Sequence, residues 1–163
     1  MVIGVGNPYR RDDGVGPHLA QAIRKHGPPC VHAIEHSGEG ASLMELWRNE
    51  DAVYLFDAVS SGGVPGSITH FDALGHSLPT DFFNYSTHAF SVAEAIEMAR
   101  VLGSLPSMLR VYGIEGSNFN TGQGLSAPVA GAVGMLLPRV LRELRQLDVE
   151  DQPVARRESY ARA

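Results

Sequence analysis

The 163-residue sequence contains a single cysteine, Cys30. One cysteine excludes an internal disulfide and any metal site built on a Cys-x-x-Cys pair. Positive charge is also scarce: 13 lysines and arginines against 18 acidic residues give a net charge of −5, which argues against a nucleic-acid-binding surface. No apolar run approaches the 18 residues of a membrane span, and the start lacks the charged region of a signal peptide. We therefore expect a cytoplasmic protein that does not insert into membranes.

The length and composition favour one folded domain. With 163 residues, 44% of them hydrophobic, the chain is long enough to bury a substantial core. We place this domain at residues 1–147. Residues 148–163 have no apolar periodicity, and we expect them to form a disordered tail.

Short apolar runs alternate along the chain with segments of helical periodicity. This alternation predicts an α/β fold: a three-layer sandwich with a mostly parallel central sheet, helices on both faces and one antiparallel edge strand. In such sheets, ligands bind beside the carboxyl ends of the strands. The predicted strands lie at residues 2–5, 31–34, 52–56, 66–72 and 109–114, and the predicted helices at 14–25, 43–47 and 91–102, with a long helix after Ser126 that Pro138 should kink.

The segment GVGNPYRRDDGVG, residues 4–16, resembles a nucleotide-binding turn at first sight. A dinucleotide fingerprint requires a third glycine where this chain has Tyr9, and no GK[ST] sequence follows. Two adjacent aspartates, Asp12 and Asp13, would also repel a phosphate. The turn is therefore predicted to present a carboxylate, although acids at the start of a helix also serve simply to stabilise its dipole.

A second acid and a histidine lie in two other predicted loops. Asp57 follows the apolar run AVYLF, and an acid ending a buried strand is unusual unless it is hydrogen-bonded or functional. His88 lies in YSTHAFS, just before the predicted helix 91–102, where a lone histidine is more often a cap or a solvated side chain. If His88 meets Asp13 and Asp57 at one sheet edge, the three form a partial shell for a divalent ion, with coordination positions left for water or substrate.

Five motifs stand out along the chain: GVGNPYRRDDGVG (4–16), DAVSSGG (57–63), STHAFSVAEAI (86–96), YGIEG (112–116) and LSAPVAGAV (125–133). In these motifs the chain resembles the hydrogenase maturation endopeptidases, which process the large subunits of nickel-iron hydrogenases. The resemblance extends from Val2 to about Leu144. The first three motifs, in this order and spacing, are specific to that family.

The resemblance implies an enzyme, a metal-dependent endopeptidase that removes a short C-terminal extension from a hydrogenase large-subunit precursor after nickel insertion. Its partner is that precursor, and nickel is supplied by the substrate, so no stably bound intrinsic metal is expected. The metal-contacting and catalytic positions of the family fall on Asp13, Asp57 and His88; some members have Glu at the first of these. Which group acts as base or nucleophile stays open. Cys30 precedes a predicted strand and is expected to be packed there rather than reactive.

Other polar residues have simpler interpretations. Glu115 and Asn118 follow the last predicted strand, where a supporting or capping role is favoured over substrate contact. Glu35 and His36 are adjacent, so in a strand they point to opposite faces and cannot bind one ion together. Arg10 and Arg11 are most simply solvated, although a contact to a substrate carboxylate is an alternative.

Two other functions compete with the peptidase. A non-enzymatic nickel metallochaperone or sensor would use the same three ligands but would bind the isolated metal tightly, which usually requires Cys or clustered His. A mononucleotide-binding α/β domain would be stabilised by nucleotides and unaffected by metal.

Overall fold

The computed structural model describes residues 1–75 and 91–150. In this part of the chain, strands and helices alternate as the sequence predicted, and a 3₁₀ turn at Arg11–Gly14 precedes the first helix. The elements are β1 (Val2–Val5), α1 (Val15–His26), β2 (Ala33–His36), α2 (Gly40–Trp47), β3 (Ala52–Val59), β4 (Ile68–Asp72), α3 (Val92–Val101), β5 (Met108–Glu115) and α4 (Ala127–Glu150).

The strands form one five-stranded sheet in the order β2-β1-β3-β5-β4. All neighbouring pairs are parallel except β4 and β5, which are antiparallel. The predicted α/β fold with a mostly parallel sheet and one antiparallel edge strand is therefore confirmed. In the central pair, Asp57 lies opposite Gly113 and Val59 opposite Glu115. Both acids consequently lie near the carboxyl edge of the sheet.

The sheet separates two hydrophobic cores, so the fold has three layers. One core joins α1 and α4 to the sheet face that carries Tyr54 and Phe56. The other joins α2 and α3 to the opposite face, which carries Val53 and Leu55. Because side chains alternate along a strand, Asp57 belongs to the face covered by α2 and α3.

Two glycines allow α1 to begin directly against the sheet. A Cβ atom on Gly16 would lie 2.2 Å from the carbonyl oxygen of Val5 and 2.5 Å from that of Phe56. A Cβ atom on Gly4 would lie 2.1 Å from the carbonyl oxygen of Gly16. No side chain fits at such distances, so glycine is required for this close backbone approach. The result is that the β1–α1 loop lies next to the end of β3.

Three sequence expectations differ in detail from the structure. β2 begins at Ala33 rather than at residue 31, and β3 continues to Val59, so Asp57 lies within the strand instead of after it. The expectation that Cys30 is packed was wrong: it is exposed in the turn before β2, and its thiol donates a hydrogen bond to Asp148 Oδ1 at 2.9 Å.

The C-terminal helix extends to the end of the described residues. α4 contains Pro138 and continues to Glu150, so residues 148–150 form its last turn. The remainder of the predicted tail, 151–163, lies outside the described residues. None of the helices described in residues 1–75 and 91–150 is long and apolar enough to cross a membrane.

Candidate active site

The β1–α1 loop holds Asp13 through a tight backbone turn. Gly6 has φ +131°, and a Cβ atom on it would lie 1.8 Å from the carbonyl oxygen of Asp13. The next residue, Asn7, donates its backbone N–H to Asp13 Oδ2 at 3.1 Å. Only glycine combines this φ with this close approach. The glycine-rich segment thus fixes a carboxylate in place, as the sequence predicted.

Asp57 lies on β3 and is buried, with 9% of its surface exposed. Burial is the main cause that raises the pKa of the Asp57 carboxyl well above its ordinary value, and the negative charge of Asp13 raises it further. A hydrogen bond from the backbone of Ala58 opposes these effects only weakly. The two predicted site acids are therefore close enough to repel each other electrostatically.

The third predicted ligand, His88, lies outside the described residues. Within 1–75 and 91–150, no group of three His, Cys, Asp or Glu side chains is arranged to hold a metal ion. The described chain resumes at Ser91, which caps α3 by a reciprocal pair of hydrogen bonds with Glu94. Because α3 packs on the same sheet face that carries Asp57, its N-terminus belongs to the layer next to this acid.

Asp12 has a different role from its neighbour. It is fully buried and accepts hydrogen bonds from the backbone N–H and the hydroxyl of both Ser117 and Ser126, and from the N–H of Asn118, at 2.7–3.2 Å. Burial alone would raise the pKa of Asp12, but these hydrogen bonds together lower it below the ordinary value. Asp12 thus joins the first loop to the β5–α4 loop.

Glu115 supports the loop that follows β3. Its buried carboxylate accepts the backbone N–H groups of Ser61, Gly62 and Gly63 at 3.0–3.2 Å and the Ser61 hydroxyl at 2.8 Å. Successive N–H groups that converge in this way form a natural site for an anion. The supporting role expected for Glu115 is therefore confirmed, because one carboxylate orders the segment directly beyond Asp57.

Glu35 and His36 diverge as the strand geometry predicted. Glu35 contacts Gln21 and Arg24 of α1, whereas His36 contacts Ser42 of α2 on the other face. His18 is exposed on α1.

The backbone conformation of Arg11 was not predicted from the sequence. Its backbone is left-handed, with φ +48°, and its guanidinium group lies beside Gly122. Nothing in the sequence indicates this conformation, since the pattern that marks a left-handed residue is usually a glycine or an asparagine.

The fold and these side chains define an α/β protein with a paired-acid site at the carboxyl edge of a parallel sheet. The family model described as HycI, hydrogenase maturation protease, matches residues 15–143 of this sequence. This chain belongs to the hydrogenase maturation protease family.

Individual relatives agree with this assignment. The hydrogenase expression/formation protein HupD of Rhodobacter capsulatus is 25% identical over 153 residues, which are 92% of this chain and 73% of that protein. The structure of the hydrogenase maturating endopeptidase HybD from E. coli is 26% identical and superposes with a TM-score of 0.75, covering 89% of this chain and 91% of that one. The [NiFe] hydrogenase maturation protease HybD from Thermococcus kodakarensis, at 18% identity and a TM-score of 0.62, covers 88% of this chain and 97% of its own; it supports the fold alone.

Proposed function

We propose that this protein is the endopeptidase that removes the C-terminal extension of a nickel-iron hydrogenase large-subunit precursor in the cytoplasm, and that it recognises the nickel already inserted in that precursor. The observation that carries the proposal is the buried Asp57 beside Asp13. Burial and mutual repulsion both disfavour two ionised carboxylates at one edge. A divalent cation presented by the substrate would offset both the burial of charge and the repulsion between the carboxylates. Asp13 and Asp57 together therefore favour binding of a metal-loaded precursor.

His88 supplies the third ligand in this proposal. It stands three residues before Ser91 in the sequence, and three residues span at most about 11 Å. Ser91 in turn begins the helix that packs on the sheet face of Asp57. Two carboxylates and one imidazole neutralise the charge of a nickel ion and leave positions for the precursor's own ligands.

The reaction follows from this arrangement. Docking through the precursor's nickel places the scissile peptide bond beside Asp13 and Asp57, where the cation can polarise the peptide carbonyl or a water molecule. Asp57 is suited to take up a proton, because its carboxyl has a raised pKa. A carboxylate released from coordination would then act as the general base that activates water.

The experiment compares nickel-loaded and nickel-free forms of candidate large-subunit precursors, each incubated with the protein and analysed by mass spectrometry. We expect loss of one C-terminal peptide from the nickel-loaded form alone. Equal cleavage of both forms would contradict nickel recognition. Submicromolar binding of free nickel without any cleavage would instead favour the metallochaperone.

A further inference from the structure

A groove of about 300 Å³ lies between the first loop, α1 and the start of α4, and it is lined by Gly14, the residue that follows Asp13. Its apolar surface comes from Pro17, Leu125 and Val133, and its polar side chains include Arg11, His18 and Gln21. None of the described residues that line it is acidic. The groove thus combines apolar lining residues with the positive charge of Arg11, although the protein as a whole carries a net charge of −5.

Arg11 provides this positive charge. It is exposed, and none of the acidic side chains described in residues 1–75 and 91–148 forms an ion pair with it. Its guanidinium lies next to Gly122: a Cβ atom there would be 3.1 Å from Arg11 Nε and 3.3 Å from Nη2. The exposed guanidinium can therefore donate hydrogen bonds to a ligand from a position next to the Gly122 backbone.

The backbone of Arg11 is an independent indication that the side chain has a function. It is the single non-glycine residue with positive φ in the described ranges, at +48°. Its N–H donates to the carbonyl of Gly122 at 3.0 Å, which anchors the strained conformation. Left-handed backbone is unfavourable for a long side chain, and such strain concentrates at functional sites. A glycine would meet the same backbone requirement without strain, but it would not supply the guanidinium.

Arg11 is also close to the proposed cleavage point. It lies two positions before Asp13 in the same 3₁₀ turn, a backbone distance of at most about 7 Å. An extended peptide advances about 3.3 Å per residue, so a substrate side chain that reaches Arg11 lies within about four residues of the bond beside Asp13. Guanidinium groups pair best with carboxylates, to which they donate two parallel hydrogen bonds.

We propose that Arg11 and this groove bind an acidic side chain of the precursor within four residues of the scissile bond, which makes Arg11 a specificity-determining residue. This inference rests on the proposed peptidase function. It adds a sequence requirement to the substrate, which nickel recognition alone would not impose.

Kinetics with an Arg11→Gln variant test the proposal on the nickel-loaded precursor that the wild-type enzyme cleaves. We expect KM to rise about tenfold, as for loss of one charge-assisted pair, with kcat unchanged within about twofold. Arg11→Lys should recover part of the loss because it keeps the charge. The matched control, Arg142→Gln on the exposed surface of α4, should keep the wild-type KM.

A second substrate completes a double-mutant cycle. In this second precursor, every Asp or Glu within four positions of the scissile bond is replaced by Asn or Gln. The kcat/KM of the wild-type enzyme should be about tenfold lower on this precursor than on the original one. The kcat/KM of Arg11→Gln should be almost the same on both precursors. The proposal would be overturned if the effects of the enzyme and substrate changes on kcat/KM were additive, or if KM were unchanged in Arg11→Gln. Cleavage of a precursor with no acidic residue within four positions of the scissile bond would also overturn it.

A binding measurement keeps this test separate from the peptidase function. A nine-residue peptide of alanine and leucine with one central aspartate is titrated into isotopically labelled protein and followed by NMR. We expect shifts at Arg11, Gly14 and Leu125 that are lost with an asparagine peptide and in Arg11→Gln. An absence of these shifts overturns the groove assignment whether or not cleavage occurs, whereas shifts without cleavage of any precursor reject only the peptidase proposal.

Discussion

At the scale of single residues, the two neighbouring aspartates of the first loop have opposite electrostatic surroundings. Asp12 is surrounded by donors, and its pKa is lowered. The Asp13 carboxylate accepts the backbone N–H of Asn7, and its charge raises the pKa of Asp57. A carboxylate that is fully satisfied by the protein is structural, whereas acids that repel each other are suited to a cationic ligand. This difference separates the structural acid from the candidate functional ones.

Asp57→Asn should stabilise the free protein. Since the pKa of the Asp57 carboxyl is raised on folding, its ionisation opposes the folded state at neutral pH. We expect the free energy of unfolding at pH 7 to increase by roughly 1 kcal/mol, a size typical of substitutions that relieve an active-site penalty. The gain should disappear below the ordinary aspartate pKa of 3.8, where the carboxyl is protonated in both states. Urea unfolding at pH 7 and pH 3.5 measures this, and a destabilised variant at pH 7 would contradict it.

Asp12→Ala should destabilise the protein strongly. It leaves three backbone N–H groups and two hydroxyls without their buried acceptor, and we expect a loss of about 3 kcal/mol at pH 7 in urea unfolding. Since the pKa of Asp12 is lowered on folding, its contribution is present above pH 3.8 and decreases as the pH falls through the folded value. The control, Asp51→Ala, removes an exposed carboxylate and should change stability by less than about 0.5 kcal/mol. An equal effect of the two substitutions would refute the assignment.

At the scale of elements, the site is a set of loops fixed to one another by buried acids. Asp12 joins the loop after β1 to the loop after β5, and Glu115, the last residue of β5, holds the loop after β3. These contacts connect segments more than 50 residues apart in sequence. These buried contacts therefore order the loops at the carboxyl edge of the sheet.

Glu115→Ala should release the loop beyond Asp57. With its acceptor removed, the N–H groups of Ser61, Gly62 and Gly63 should exchange with solvent faster, and cleavage should slow by about tenfold as the geometry at Asp57 loosens. Hydrogen exchange and single-turnover cleavage measure the two effects. Glu115→Gln keeps an acceptor and should have a smaller effect, and Glu45→Ala, on an exposed side chain of α2, should have none. Unchanged exchange at Ser61–Gly63 would contradict the supporting role.

Element type could be predicted from the sequence, while some boundaries and contacts could not. The period of the apolar residues indicates α1 and α3, and the run AVYLF indicates β3. The extension of β3 through Asp57 breaks that pattern, because a buried acid interrupts the apolar run without ending the backbone pairing to β5. The exposure of Cys30 is also invisible in the sequence, since it depends on where the turn after α1 places one side chain.

At the scale of the whole molecule, the sheet keeps the site apart from a second polar cluster. On the face covered by α4, Glu143 accepts hydrogen bonds from Tyr112 and Arg110 and pairs with Arg139. Burial and the charge of Glu143 raise the pKa of Tyr112 to about 12, so its hydroxyl remains a donor at neutral pH. This cluster secures α4, whose first turn in turn borders the groove beside Arg11.

The candidate site was only partly accessible to sequence reasoning. Asp57 was predicted because it follows an apolar run, and Asp13 because the resemblance to the family implies it. Topology places the ends of β1 and β3 side by side. The positions of His88 and the acids relative to a nickel ion stay predictions, because residues 76–90 lie outside the described chain. The roles of Asp12 and Glu115 became definite only when their donors, distant in sequence, were located.

The most direct measurement of the central claim is the single-turnover cleavage rate of a nickel-loaded precursor by Asp13→Asn, Asp57→Asn and the double variant. If the two carboxylates act as one unit on the precursor's metal, the cleavage rate of each single variant should be at least about a hundredfold below that of the wild type. The double variant should then cleave no more slowly than the slower of the two single variants. Arg142→Gln, with the same change of one charge on the exposed surface of α4, should cleave at the wild-type rate. A folded Asp57→Asn protein that cleaves within threefold of the wild-type rate would contradict the account.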